Sequence, residues 1–227
     1  MSEELFKARS IRILYDSERI TAVSPEWLQP EFWRMRNDIL AELGGRGQAL
    51  LVSTPVGPAV LRRYLRGGLV ARVSHDRFLF TGYDNSRALV EWRALAELNR
   101  RQLPVPRPLM AICERKGPIY RAGILTALIP DTRSLADVAH ELGEDDWRRL
   151  GRTLQAFFSS GVVHADLNAH NILLDKSGQW YLIDFDRARI RDRPVLPDRM
   201  LNRLFRSFDK LGIDARRDLL GPVAGPR

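Results

Sequence analysis

The sequence predicts an α+β chain of two lobes, a small β-rich N-terminal lobe and a mainly helical C-terminal lobe. Three observations predict it. Up to about residue 130, short apolar runs alternate with turns rich in glycine and proline, the pattern of strands. Beyond it, two segments carry apolar residues at helical spacing. Between the two patterns, Leu128-Ile129-Pro130-Asp131 reads as a hinge, because proline cannot donate to a strand ladder. A chain of 227 residues has room for one core in each lobe, and 44% hydrophobic with 28% charged residues is the balance of a globular protein.

Taken in order, Ile11 to Tyr15 is expected as a strand. Ser24-Pro25-Glu26 opens a helix, with serine at the cap and proline in the first turn, where its missing N–H is no loss. Trp27, Phe32 and Trp33 on that stretch are expected to complete the core. Gln48 to Ser53 and Ala59 to Tyr64 form a hairpin around Thr54-Pro55-Val56-Gly57-Pro58, and a glycine loop with Gly45 and Gly47 precedes it. Asn85 to Arg101 is a helix with Leu89, Trp92, Leu95, Ala96 and Leu98 apolar. Leu103-Pro104-Val105-Pro106-Arg107-Pro108 must run extended, and Ala122 to Ile129 is a buried strand. Helices follow at Ser134 to His140 and at Glu144 to Ser159, the second opening on Glu-Asp-Asp as a helix N-terminus prefers. The lobes are expected as residues 1–130 and 131–227 of one domain.

The chemistry concentrates between His164 and Asp186. Asp166 precedes Asn171 by five residues, and the strands Ile172 to Leu174 and Trp180 to Ile183, joined at Lys176-Ser177-Gly178, deliver Asp184. Phosphoryl transfer requires this order of acid, amide and second acid: one carboxylate orients the attacking hydroxyl, while an amide oxygen and another carboxylate hold Mg2+ against the phosphates of ATP. Asp166 is therefore expected as catalytic base, with Asn171 and Asp184 as metal ligands.

Composition narrows the partners. Net charge is +8 and the isoelectric point near 10.2, which favours an anionic partner. Nucleic acid is not expected, because the arginines are spread along the chain without interleaved stacking aromatics. Cys113 is the only cysteine, which excludes an intramolecular disulfide and a multi-cysteine zinc site. The opening Met-Ser-Glu-Glu-Leu-Phe-Lys lacks the layout of a signal peptide, and no apolar run reaches the roughly eighteen residues of a membrane span, so a cytoplasmic location is expected.

Glycine loop, basic strand residue, helix glutamate, proline-marked hinge, His-x-Asp loop and Asp-Phe-Asp together resemble the protein-kinase-like fold. Ala59-Val60-Leu61-Arg62 resembles the kinase Val-Ala-Ile-Lys, with Arg62 in the place of the phosphate-binding lysine and Glu91 as its ion-pair partner. Gly45, Gly47, Arg62 and Glu91 are the nucleotide-binding residues this implies. Within the fold, Val60 to Gly68, Leu103 to Pro108 and His164-Ala165-Asp166-Leu167-Asn168-Ala169-His170-Asn171 resemble the bacterial 3-deoxy-D-manno-octulosonic acid (Kdo) kinases of the lipopolysaccharide core kinase family.

The resemblance implies ATP-dependent phosphorylation of the 4-hydroxyl of a Kdo sugar on lipid A, at the cytoplasmic face of the inner membrane. Arg63, Arg66, Arg72 and His170 are the acceptor candidates, since a carboxylated sugar on a phosphorylated lipid is strongly anionic. Ala165 stands where many protein kinases have the arginine that reads a phosphorylated activation loop, and no Ala-Pro-Glu follows Asp184, so a peptide acceptor is not expected. Two alternatives stay open on the residues alone: a kinase of the same fold acting on a heptose, choline or an aminoglycoside, and a pseudokinase scaffold. The basic charge speaks against a cationic aminoglycoside, and intact Asp166, Asn171 and Asp184 speak against lost catalysis.

Overall fold

The computed structural model describes residues 1–43, 49–64 and 78–221. The chain divides into two compact units, Met1–Glu97 with Arg107–Leu128, and Leu98–Pro106 with Ile129–Arg227. The expected α+β class is what is seen: the first unit is built on a large antiparallel sheet and the second mainly on helices.

The first unit contains strands β1 (Glu3–Ala8) and β2 (Ile11–Asp16), a 3-10 turn at Pro25–Leu28 and helix α1 (Pro30–Met35). Strands β3 (Ile39–Leu43), β4 (Ala49–Thr54), β5 (Gly57–Arg63) and β6 (Phe78–Leu79) follow, then helix α2 (Arg87–Arg100) and strands β7 (Pro108–Lys116) and β8 (Ile119–Ala127). The sheet order is β1-β2-β7-β8-β5-β4-β3, with β6 pairing β8. In β4, Leu50 and Val52 turn inward while their neighbours stay more exposed, the period of two that one buried sheet face requires. The central strand β7 instead buries six consecutive residues, Pro108 to Cys113, because both of its faces are covered.

The single helix expected from Ser24 is broken in two. Ser24 Oγ accepts from the Glu26 N–H (3.2 Å) and caps the 3-10 turn as its sequence predicts. Gln29, however, precedes Pro30, whose ring disfavours helical backbone at the residue before it, and Gln29 is extended at ψ 120°. The break folds Trp33 back onto Trp27, with ring centroids 5.5 Å apart and Trp33 Nε1 donating to Trp27 O (2.9 Å). Both indoles are buried with Ile13, Leu50, Leu61, Met110, Ile112 and Leu125, and Phe32 packs against the same cluster. Asp16, fully buried, is compensated by the guanidinium of Arg107 (2.6 Å), which pins β2 to the start of β7.

The second unit takes the last turn of α2 and the proline-rich segment as well as the chain after Leu128. Pro104 O accepts from the Leu182 N–H (3.0 Å) and Ser160 O from the Arg101 guanidinium (2.8 Å), which is why that segment belongs here. The unit continues with β9 (Arg133–Ser134), α3 (Leu135–Val138), α4 (Glu144–Ser159), β10 (Val162–Val163), β11 (Ile172–Leu174), β12 (Trp180–Leu182), β13 (Arg189–Ile190) and α5 (Asp198–Leu211). The helix expected over Ser134 to His140 shrinks to α3, with Ser134 as its cap, and ends as a 3-10 turn at Ala139–Glu141.

Helix α4 has the predicted bounds and buries Trp147, Leu150, Leu154, Phe157 and Phe158, one stripe at helical spacing. Helix α5 buries Met200, Leu201, Leu204, Phe205 and Phe208, and Phe208 meets Trp147 edge to face with centroids 5.9 Å apart. Asp175 Oδ1 accepts from the N–H groups of Ser177 and Gln179 (both 2.9 Å), closing the β11–β12 hairpin that carries the chain to Asp184.

Candidate active site

In the second unit, β10 brings the chain to His164, which is only 4% exposed. Its Nδ1 accepts from the Asp166 N–H (3.2 Å), and its Nε2 lies 3.0 Å from Ile183 O. One nitrogen must accept and the other donate, which assigns the neutral tautomer protonated at Nε2. Burial pushes the imidazole pKa below its ordinary 6.5, in keeping with that neutral ring. The Ile183 N–H in turn donates to Asn171 O (3.0 Å). Ile183 is thus held on both sides by the loop from His164 to Asn171, and Asp184 is its neighbour.

Phe185, the next residue, is buried between Phe157 (centroids 6.1 Å) and His164 (4.9 Å). With both neighbours fixed, Asp184 adopts φ 64°, a left-handed conformation that aspartate and asparagine tolerate better than most residues. Such backbone costs on the order of 1 kcal/mol and persists only where the surroundings impose it. Asn171 Nδ2 donates to Asp166 O (2.9 Å), which leaves the amide oxygen as what Asn171 can offer a cation. That oxygen and the Asp184 carboxylate are hard donors, and their chemistry fits Mg2+ held jointly by protein and nucleotide phosphates. The Asp166 carboxylate is half exposed, with Oδ2 accepting from Asn168 Nδ2 (3.1 Å) and Oδ1 from Arg203 Nη1 (3.2 Å).

In the first unit, Arg62 on β5 meets both carboxylate oxygens of Glu91 on α2, and the Tyr64 hydroxyl donates to the same carboxylate. Strand alternation explains the choice: Arg62 lies on the α2 side, whereas Arg63 lines a cavity of about 230 Å³ with Leu28, Glu31, Glu114 and Arg121. Glu91 is buried and Arg62 keeps 26% of its side chain exposed, so a buried carboxylate holds a guanidinium that still reaches solvent. Replacing Glu91 with Ala is expected to cost on the order of 2–3 kcal/mol, less than the ~3–5 kcal/mol of a fully buried pair because Arg62 is partly hydrated. Urea unfolding of the variant beside Glu91→Gln measures it, and the glutamine should recover part of the loss.

The sequence profile of the lipopolysaccharide kinase (Kdo/WaaP) family matches residues 30–219. The chain belongs to that family. Among its relatives, the 3-deoxy-D-manno-octulosonic acid kinase of Stenotrophomonas maltophilia strain R551-3 is 45% identical over 201 residues, 88% of this chain and 80% of that protein. The protein of the same name from Xanthomonas euvesicatoria pv. vesicatoria is 44% identical over 210 residues, 91% of this chain and 84% of its own. That of Xanthomonas oryzae pv. oryzae is 44% identical over 201 residues, covering 88% and 80%.

For this member of the Kdo/WaaP family, the structure brings Asp166, Asn171 and Asp184 together in one unit and Arg62 with Glu91 in the other. His170, within the loop from His164 to Asn171, is exposed. Gly45, Gly47, Arg66 and Arg72 lie outside the described residues. Sequence reasoning missed the clamp made by His164 and the contact of Arg203 with Asp166. The first was signalled by the histidine two residues before Asp166; the second, 37 residues away in the chain, had no local signal.

The clamp has a pH signature. Because the folded state holds His164 neutral below its ordinary 6.5, the unfolded chain binds the extra proton, and stability from this site falls as pH drops through that value. The stability advantage of wild type over His164→Asn is therefore expected to narrow between about pH 7 and about pH 5, read from urea unfolding at each pH.

Proposed function

We propose that this chain transfers the γ-phosphoryl group of ATP to the 4-hydroxyl of a Kdo sugar on lipid A, at the cytoplasmic face of the inner membrane. The observation that carries the reading is the identity of 44–45% to Kdo kinases over four fifths or more of both chains, supported by the presence of Asp166, Asn171 and Asp184 in one unit. Residues 1–130 carry nucleotide binding and residues 131–227 carry catalysis.

Asp166 accepts the hydrogen bond of the sugar hydroxyl and aims its oxygen at the γ-phosphorus. The new bond forms from that oxygen as the bond to the bridging oxygen of ADP breaks, and the hydroxyl proton is taken up at Asp166. Bound Mg2+ supplies charge neutralisation on the phosphates, and Asn171 Oδ1 and the Asp184 carboxylate hold it. Arg62, oriented by Glu91, steadies the phosphates, and a fixed guanidinium suits them because its fork binds two oxygens at once. Arg63 and His170 are assigned to the anionic acceptor. Contact with the inner membrane is peripheral and electrostatic, from the +8 charge against anionic lipid; no helix of the described residues is long and apolar enough to cross a bilayer.

The test is transfer of labelled γ-phosphate from magnesium-ATP to lipid A precursor with and without Kdo, followed by NMR location of the new phosphate. Label on the 4-hydroxyl of the Kdo-bearing lipid alone is expected. Transfer to neither lipid by a preparation that binds ATP would reject the acceptor.

A further inference from the structure

The Asp166 carboxylate is touched by an arginine from far along the chain. Arg203 Nη1 lies 3.2 Å from Asp166 Oδ1, 37 residues away in sequence. The loop from His164 to Asn171 contains no lysine or arginine of its own. A permanent positive charge therefore reaches Asp166 from α5. That helix is no loose neighbour: its apolar side is buried, and Ser207 Oγ, one turn beyond Arg203, accepts from the Ala169 N–H (3.1 Å). The loop and α5 are thus tied to each other close to the Asp166–Arg203 contact.

Stability does not account for the contact. The two side chains are 49% and 56% exposed, and an ion pair between such groups contributes only ~0–1 kcal/mol. A single N–H of the guanidinium is engaged there, which leaves the planar fork able to bind a second carboxylate bidentately. Arg199 and Arg206, exposed one turn to either side on α5, add to the positive field. A hydroxyl acceptor and an anion receptor thus stand side by side, which suits a sugar carrying a hydroxyl and a carboxylate a few bonds apart.

We propose that Arg203 is a specificity-determining residue that binds the carboxylate of the sugar-acid acceptor while Asp166 takes its hydroxyl. The assignment rests on the Kdo-kinase reading and moves carboxylate recognition from the arginines of the first unit to α5.

The test compares two acceptors, Kdo-bearing lipid A precursor and its carboxyl methyl ester, with wild type, Arg203→Ala and Arg203→Lys. Wild type is expected to show a KM for the ester about tenfold or more above that for the acid. Arg203→Ala is expected to raise KM for the acid by about tenfold, to leave that for the ester and for ATP unchanged, and to keep kcat within about threefold. Arg203→Lys, which keeps the charge but not the fork, should recover part of the preference.

An alanine variant that still prefers the acid as wild type does overturns the proposal. So does an equal loss of kcat on both acceptors, because Arg203 would then merely hold Asp166. A wild type that binds ATP and phosphorylates neither acceptor overturns the Kdo reading and this assignment together, whereas the first two results leave that reading intact. Matching circular dichroism melts of the three proteins exclude misfolding as the cause.

Discussion

Asp166→Ala is expected to lower kcat by about a thousandfold or more while leaving ATP affinity within a few-fold of wild type, a general-base loss of the usual ~10²–10⁴ compounded by lost alignment of the hydroxyl. The geometry makes this substitution clean. The Asp166 N–H still reaches His164 Nδ1 and its carbonyl still accepts from Asn171 Nδ2, since both contacts belong to the backbone. Only the carboxylate goes, and its two partners, Asn168 and Arg203, lie at the surface, where water replaces it. Single-turnover transfer with saturating ATP, together with a nucleotide titration of the same variant, checks both halves. Near-wild-type turnover would remove Asp166 from the base role, and lost ATP binding would show that the loop had collapsed.

The second large effect is expected at Asp184. Asparagine is the informative replacement, because it tolerates the φ of 64° about as well as aspartate, whereas alanine adds a backbone penalty of roughly 1 kcal/mol. Asp184→Asn keeps the size and an amide oxygen but removes the negative charge that a hard dication requires. Magnesium-dependent ATP affinity is expected to fall about tenfold or more, with kcat down by at least about a hundredfold, while nucleotide binding without Mg2+ is unchanged. Fluorescence titrations with Mg2+ and with EDTA separate these. Equal affinity for wild type and variant in Mg2+ would remove Asp184 from the ligand set.

What sequence reading reached follows from where each signal lies. Asp166, Asn171 and Asp184 were legible because short loops and one hairpin fix their spacing, so chain order already encodes the geometry. Arg62 and Glu91 were legible as a pair through the resemblance of Ala59-Val60-Leu61-Arg62 to the kinase Val-Ala-Ile-Lys, alternation adding only that Arg62 and Arg63 point to opposite faces. The break before Pro30 was readable in principle, but the cap at Ser24 suggested a helix and the proline that ends it was overlooked.

Strand β1 gave no signal, since Glu3 to Lys7 are exposed and no apolar face marks it. Helix α5 did carry an apolar stripe, yet no motif drew attention to it, and the contact of Arg203 with Asp166 exists only once the helix is packed. The glycine loop with Gly45 and Gly47, and Arg66 and Arg72, lie outside the described residues.

The arginine at position 62 also bears on how such a protein is found. Amine-directed chemical probes, including acylating nucleotide analogues, tag a lysine beside the phosphates of a bound nucleotide, and they depend on an amine that gives up its proton. The Arg62 side chain, paired with buried Glu91, offers such reagents a guanidinium and no amine. With Arg62 in its proposed phosphate-binding role, a survey of ATP-binding proteins that relies on lysine labelling would pass over this chain at that position, and its silence there would say nothing against nucleotide binding. Reagents selective for guanidinium, such as dicarbonyls, are the ones that would mark it.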